Sequence, residues 1–429
     1  MRNWIQPLSA LVITGLTASA GAQPGGDSLI APLGLGFEDK PAQEASTDNT
    51  LIKTYFKDGL RFETADKGFQ MKMGGRIMFD TALIGTNNNY MNSFGNEENG
   101  SSFREARIYA EGSFNEKIEF KWQYDFNGGV NNKLKDLYIG FRNTPAGNVR
   151  VGQFKEPFGL DQLTSLSYIT FMERGAPNAL VPGRNVGVML FDNNAPKTMN
   201  WAVGIFEDDG ADTGASTGGD GAYSLTGRVS GTPVKDDVTH LIHLGASAST
   251  RTLGDNPYAV TFRGESNLTK GTIASVNVAA DSVNMGGVEA AWVNGPLSLQ
   301  SEYILSQVNP DAGEDLNYTS FYVYGSYFLT GESRTYKDTT GTFTRIDVLK
   351  PYGKDGGMGA VELALRVSGI DLDDGTTPGG QVTSYTAGVN WYLTAYMRFM
   401  VNYVHEEIEI SASGDGVGDI LQARIQIDV

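Results

Sequence analysis

The stretch Ile118-Glu119-Phe120-Lys121-Trp122-Gln123-Tyr124-Asp125-Phe126 decides the fold class. Successive side chains of a strand point to opposite faces, so Ile118, Phe120, Trp122, Tyr124 and Phe126 share one face. Glu119, Lys121, Gln123 and Asp125 share the other. A soluble sandwich also alternates, but it rarely sets four large aromatics in a row on one face of a strand whose other face carries both acid and base. A Lys or Arg on the lipid side at mid-membrane costs roughly 2–4 kcal/mol, which assigns the aromatic face to lipid and Lys121 to the interior of a barrel.

The same period recurs outward from this stretch. Val361, Leu363, Leu365 and Val367 alternate with Glu362, Ala364, Arg366 and Ser368, and Met397, Phe399, Val401 and Tyr403 alternate with Arg398, Met400, Asn402 and Val404. At the carboxyl end Leu421, Ala423, Ile425, Ile427 and Val429 oppose Gln422, Arg424, Gln426 and Asp428. Sixteen such spans follow one another from 69–83 to 418–429. Asn143–Gly147, Gly295-Pro296 and Thr394-Ala395 then form short periplasmic turns, and 85–100, 155–185, 207–221, 250–282 and 409–417 fall outside, as barrel topology prefers. The connection Thr330–Gly357 is long yet lands on the periplasmic side, which keeps eighteen strands open as the alternative count. The fold class is all-β, a transmembrane antiparallel barrel wide enough for an aqueous channel, whereas about eight strands would be filled by their own side chains.

Composition agrees and narrows the function. With 40% hydrophobic residues and no apolar run of helix-spanning length after residue 22, helical membrane spans are excluded. The 54 glycines suit many strands joined by turns. Arg2, the apolar run Leu8–Leu16 and Ala20-Gly21-Ala22 read as a signal peptide over residues 1–22, so the chain is exported, and export with the barrel pattern places it in the outer membrane of a Gram-negative-type bacterium. Residues 23–58, rich in Gly, Pro, Asp, Ser and Thr, read as a flexible linker, and 59–429 as the barrel. Zero cysteines remove disulfides, thiolate metal sites and cysteine nucleophiles. A net charge of −17 with no basic run excludes nucleic acid as a partner.

Phe103-Arg104-Glu105-Ala106-Arg107, the run Val149 to Leu160 (VRVGQFKEPFGL), Ile169 to Arg174 (ITFMER), Pro182 to Gly187 (PGRNVG), Gly295-Pro296-Leu297, Glu302-Tyr303 and Leu329 to Glu332 (LTGE) stand in an order and spacing that resembles the phosphate-selective porin O and P family from about residue 59 to the end. The resemblance implies a homotrimer of sixteen-stranded barrels, each narrowed by an inward-folded third loop, passing small anions such as phosphate or polyphosphate. This sequence departs from the phosphate-specific members. Arg104-Glu105 replaces two adjacent arginines, Thr164-Ser165 is followed by Leu166-Ser167 where those members place a lysine, and the fifth loop offers only Arg251, Arg263 and Lys270. These departures put strict phosphate selectivity in question and favour, as the alternative, a general and weakly selective porin.

Selectivity in a wide pore comes from charged side chains at the constriction. The candidates are Arg76, Arg107 and Lys121 on lumen-facing positions and Lys155, Arg174 and Arg184 around the third loop, with Arg251 and Arg263 at the entry. Arg104 comes from the motif alone, because simple alternation puts it on the lipid face unless a bulge intervenes. The competing reading is that lumen cations only pair with Glu105, Glu111, Glu119 and Asp125, a reading that applies less to Arg174 and Arg184 because they sit on the constriction loop. No catalytic residue, metal site or cofactor is expected. His240 and His243 fall on opposite faces of a strand, and His405 has no accompanying serine motif, so an outer-membrane hydrolase has little support. Glu207-Asp208-Asp209 and Asp371-Leu372-Asp373-Asp374-Gly375 read as solvated loop charge able to bridge divalent cations to lipopolysaccharide.

Overall fold

Sixteen antiparallel strands close on themselves in the computed structural model, which describes residues 52–128, 133–194, 198–207, 221–375, 377–409 and 415–429. In chain order they are Phe69–Thr86, Gly100–Phe114, Ile118–Asp125, Leu134–Thr144, Gly147–Lys155, Arg184–Asn193, Met199–Glu207, Tyr223–Asp237, His240–Thr252, Ala280–Asn294, Leu297–Pro310, Leu316–Phe328, Ala360–Asp374, Thr377–Thr394, Met397–Glu409 and Gly416–Asp428. Each pairs with its neighbours in sequence, and the last pairs with the first in the register Ile420↔Ile84 to Asp428↔Arg76. Closure matters because an unpaired strand edge in lipid leaves backbone N–H and C=O groups with no partner.

The alternation read in the sequence is the division between the two faces of this wall. Along the sixteenth strand Gln422, Arg424, Gln426 and Asp428 are buried inside, while Leu421 and Ile427 are exposed on the outer surface. Around the barrel the outer surface carries a belt that includes Ile77, Trp122, Ile139, Val203, Leu299, Val323, Leu365 and Val401. Lipid is the solvent this belt fits.

At the amino-terminal end the strands Ile52–Phe56 and Leu60–Thr64 form a hairpin, and the second pairs with the first barrel strand from Leu60↔Met73 to Glu63↔Gln70. Residues 52–56 are therefore paired sheet, and 57–58 part of the turn that follows, where a linker was expected. Thr54 and Phe56 pair with Phe62 and Leu60 across a turn at Asp58-Gly59, where both residues have positive φ. The remainder of the expected linker and the expected signal peptide lie outside the described residues.

Three connections lie against the inner wall. Residues 156–183, between the fifth and sixth strands, hydrogen-bond to lumen-facing side chains of the ninth, eleventh and thirteenth to sixteenth strands, as in Met172 N to Asn402 (2.8 Å) and Arg398 to the Ile169 carbonyl (2.9 Å). Within 253–279 an antiparallel hairpin, Tyr258–Phe262 with Ala274–Val278, packs its apolar face on Val283, Ile304, Val308, Tyr318, Ile370, Leu372 and Val382 of the wall. The third is 329–359, at the end of the short turns. Its strands Thr335–Lys337 and Thr342–Thr344 pair only with each other, which settles the count at sixteen and explains why so long a connection lies on that side.

Candidate functional site

The interior is asymmetric. Near the ninth to fifteenth strands the inner wall is covered by the apolar cluster just described, to which Tyr90, Phe158 and Leu180 also belong. Toward the first to eighth strands lies a cavity of about 500 Å³. Its lining includes seven cationic side chains, Lys72, Arg76, Lys121, Arg150, Lys155, Arg228 and Lys337, against four acidic ones, Glu111, Asp136, Asp192 and Asp428. The third loop contributes Leu163, Ser165 and Tyr168 and the inward hairpin Lys337 and Phe343.

The sequence-derived candidates fall into three groups. Arg76, Arg107 and Lys121 face the lumen, each beside a carboxylate. Arg76 and Arg107 both hold Glu105, the latter at 2.5 Å, and Arg107 also holds Asp125 at 2.7 Å. Lys121 lies 3.3 Å from Asp136 and 3.4 Å from Glu111. Arg104 reaches the lumen through a bulge, because Met78 pairs with Glu105 and Phe79 with Phe103, leaving Arg104 opposite no residue. Its guanidinium forms a two-point bond to Glu173 of the third loop, at 2.8 and 3.0 Å.

The second group is spent on architecture. Arg174 was expected as a constriction cation, but it donates to the carbonyls of Asp161 and Thr164, both at 2.8 Å, and so clamps the third loop on itself. Lys155 likewise donates to the Gln162 and Thr164 carbonyls. Arg184 is not on the loop at all. It opens the sixth strand and pairs with Asp136 at 2.7 Å. Arg251 is not at an entry but in the ninth strand, buried against Glu156 at 3.0 Å. Because the third loop folds inward, Arg174 and Lys155 meet its main-chain carbonyls and Arg251 meets its Glu156, while Arg184 meets Asp136 of the wall. Arg263 alone forms the third group, with its side chain exposed on the fifth loop.

Buried charge also fastens the third loop to the wall. Glu173 accepts from Arg104 and from Arg424 (2.7 Å), and Arg424 holds Asp80 at 2.7 and 2.8 Å. Burial pushes the Glu173 carboxyl up, but Arg104 and Arg424 outweigh it and hold it at about 2. Glu302 of the eleventh strand accepts from the backbone N–H of Leu160 (2.5 Å) and Asp161 (3.0 Å).

Lys72, Arg150, Arg228 and Lys337 are pore-lining residues that the sequence reading passed over. Lys72 and Arg228 stand in the lumen phase of their strands, so alternation could have found them. Lys337 had no such signal, because nothing local shows that its connection enters the barrel. His243 is fully buried between Tyr336 (2.6 Å) and Glu289 (2.9 Å), a fastening of the inward hairpin, and among the described residues no cluster able to hold a metal occurs.

A closed wall with lipid on one side and a charged chamber on the other defines an outer-membrane channel of the porin class. The chain belongs to the phosphate-selective porin O and P family, whose profile matches residues 71–428. It is 27% identical to Porin O of Pseudomonas aeruginosa over 90% of this chain and 94% of that one. An uncharacterized protein of Caulobacter vibrioides is 29% identical over 85% of this chain and 73% of its own length. Among solved structures, an anion-selective porin from Comamonas acidovorans superposes with a TM-score of 0.50 at 12% identity, covering 84% of this chain and all of that one. That likeness concerns the fold.

Proposed function

We propose that this porin passes small anions of the phosphate class by passive diffusion, as a homotrimer and without catalysis. The observation that carries the reading is the excess of cationic over acidic side chains lining the cavity, in a chain whose total is −17. Charges beyond about 8–10 Å are largely screened at physiological salt, so the lining outweighs the exterior. The Porin O relationship supports the phosphate class. A second reading, a weakly selective general porin, is favoured by Glu105, whose carboxylate neutralises Arg76 and Arg107 where phosphate-specific relatives carry a second arginine. Reversal potentials in a potassium chloride gradient across planar bilayers test both. A chloride-preferring potential supports anion passage, a potential near zero supports the general porin, and a potassium-preferring one overturns the proposal. Lipopolysaccharide, bridged by divalent cations at acidic rim residues such as Asp371 and Asp373, belongs to the same proposal.

A further inference from the structure

Water-filled barrels line their interior with polar side chains, since solutes pass hydrated. This one keeps an aromatic strip in its lumen. Phe154, Met189 and Phe206 are buried together, and Tyr138, Phe191 and Ala202 lie half-buried at the edge of that cluster. The rings meet edge to face, Tyr138 to Phe154 at 6.0 Å and Phe154 to Phe206 at 5.6 Å. Lipid does not reach them, and the cavity opens beside Tyr138 and Phe191. Apolar area left facing water costs roughly 25 cal/mol per Å², so an apolar solute face that covers these rings is stabilised there.

Beside the strip stand ammonium groups of different availability. Lys72 lies 3.1 Å from Glu111, and Lys121 shares that carboxylate. Lys337, on the inward hairpin, is exposed to the cavity and makes no ion pair among the described residues. Arg150 is not available in the same way. Its guanidinium lies over Tyr138 at 4.1 Å and Phe191 at 4.8 Å while bound to Glu119 at 2.9 Å. A chamber of about 500 Å³ is far larger than inorganic phosphate requires, and it falls within the range of small-molecule sites.

We infer that the chamber takes organic anions, a phosphate or carboxylate carried on a flat apolar body, with the anionic head at Lys337 and Lys121 and the body against Phe191 and Tyr138. The inference rests on the anion reading above and narrows its solute. The test compares phenyl phosphate with inorganic phosphate as blockers of chloride current through the whole protein in planar bilayers. Phenyl phosphate is expected to half-block at a concentration about tenfold lower. Phe191→Leu, which keeps bulk but removes the ring, is expected to erase most of that difference. Lys337→Gln is expected to weaken both blocks. Equal block by the two anions in the unmodified pore overturns the inference and leaves anion passage standing, as does a difference that survives Phe191→Leu. A potassium-preferring pore overturns the underlying reading instead. Migration of unboiled protein on gels reports whether Phe191→Leu has folded, and Tyr138→Leu repeats the comparison at the second ring if it has not.

Discussion

Glu105 is held between two guanidiniums with 2% of its surface exposed, so its carboxylate subtracts from the field that a passing anion meets at Arg76 and Arg107. Glu105→Arg is expected to lower the phosphate concentration that half-blocks chloride current. An unchanged block in folded protein would mean that this position does not act on the solute. Glu173 works on the loop rather than on the ion. Its carboxyl titrates at about 2 in the folded protein and near 4.5 when free, so the stability it contributes is fully present above pH 4.5 and is lost as pH falls toward 2. Open-channel noise is expected to stay flat from pH 7 to 4.5 and to rise below, while Glu173→Gln is expected to be noisy across the whole range. Arg174→Ala, which frees two loop carbonyls, is expected to raise noise more than it shifts the reversal potential.

Among the elements, the inward hairpin at 335–344 is fastened by side chains of the eighth and ninth strands. Arg228 donates to the Gly341 carbonyl at 2.8 Å, Lys235 holds Asp338 at 2.5 Å, and His243 meets Tyr336. Deleting residues 335–344 is expected to raise single-channel conductance severalfold rather than marginally, because the segment occupies lumen cross-section, and an unchanged conductance would show that the current passes elsewhere. The seam of the barrel depends on one close approach. Val429 exchanges both backbone hydrogen bonds with Gly75, at 2.9 and 3.0 Å, and a Cβ on Gly74 would stand 2.1 Å from the Val429 carbonyl oxygen. Gly74→Ala is expected to cost on the order of 1–3 kcal/mol, the usual range for overpacking, and to lower the fraction of barrel that resists unfolding in detergent.

At the scale of the molecule the wall and the filling are stabilised differently. The wall is an unbroken hydrogen-bonded ring whose outer belt only lipid or detergent can satisfy, so unboiled protein is expected to migrate faster on gels than boiled protein, and identical migration would contradict the barrel. The filling is a set of loops held by buried ion pairs and by several apolar clusters, the largest of them under the fifth-loop hairpin. Removing one partner from such a pair leaves an uncompensated buried charge, so single substitutions in the filling are expected to alter current before they alter the barrel.

The period of two, repeated sixteen times, determined by itself that the chain is a lipid-spanning barrel, because side-chain direction in a strand is local and each face declares its solvent. It also determined that Arg76, Arg107 and Lys121 look inward, and that Arg104 needs a bulge to join them. Which inward cation remains available to a solute was settled only by the tertiary structure. Arg174 and Arg184 look like pore charges in the sequence, yet one meets the carbonyls of its own loop and the other Asp136 of the fourth strand, two strands away. Lys337 carries no local signal in the sequence, yet its hairpin enters the lumen. Charge availability depends on what lies within a few ångströms in space, and for an inward loop those neighbours come from strands far away in the chain, 69 residues for Arg104 and Glu173 and 230 for Met172 and Asn402.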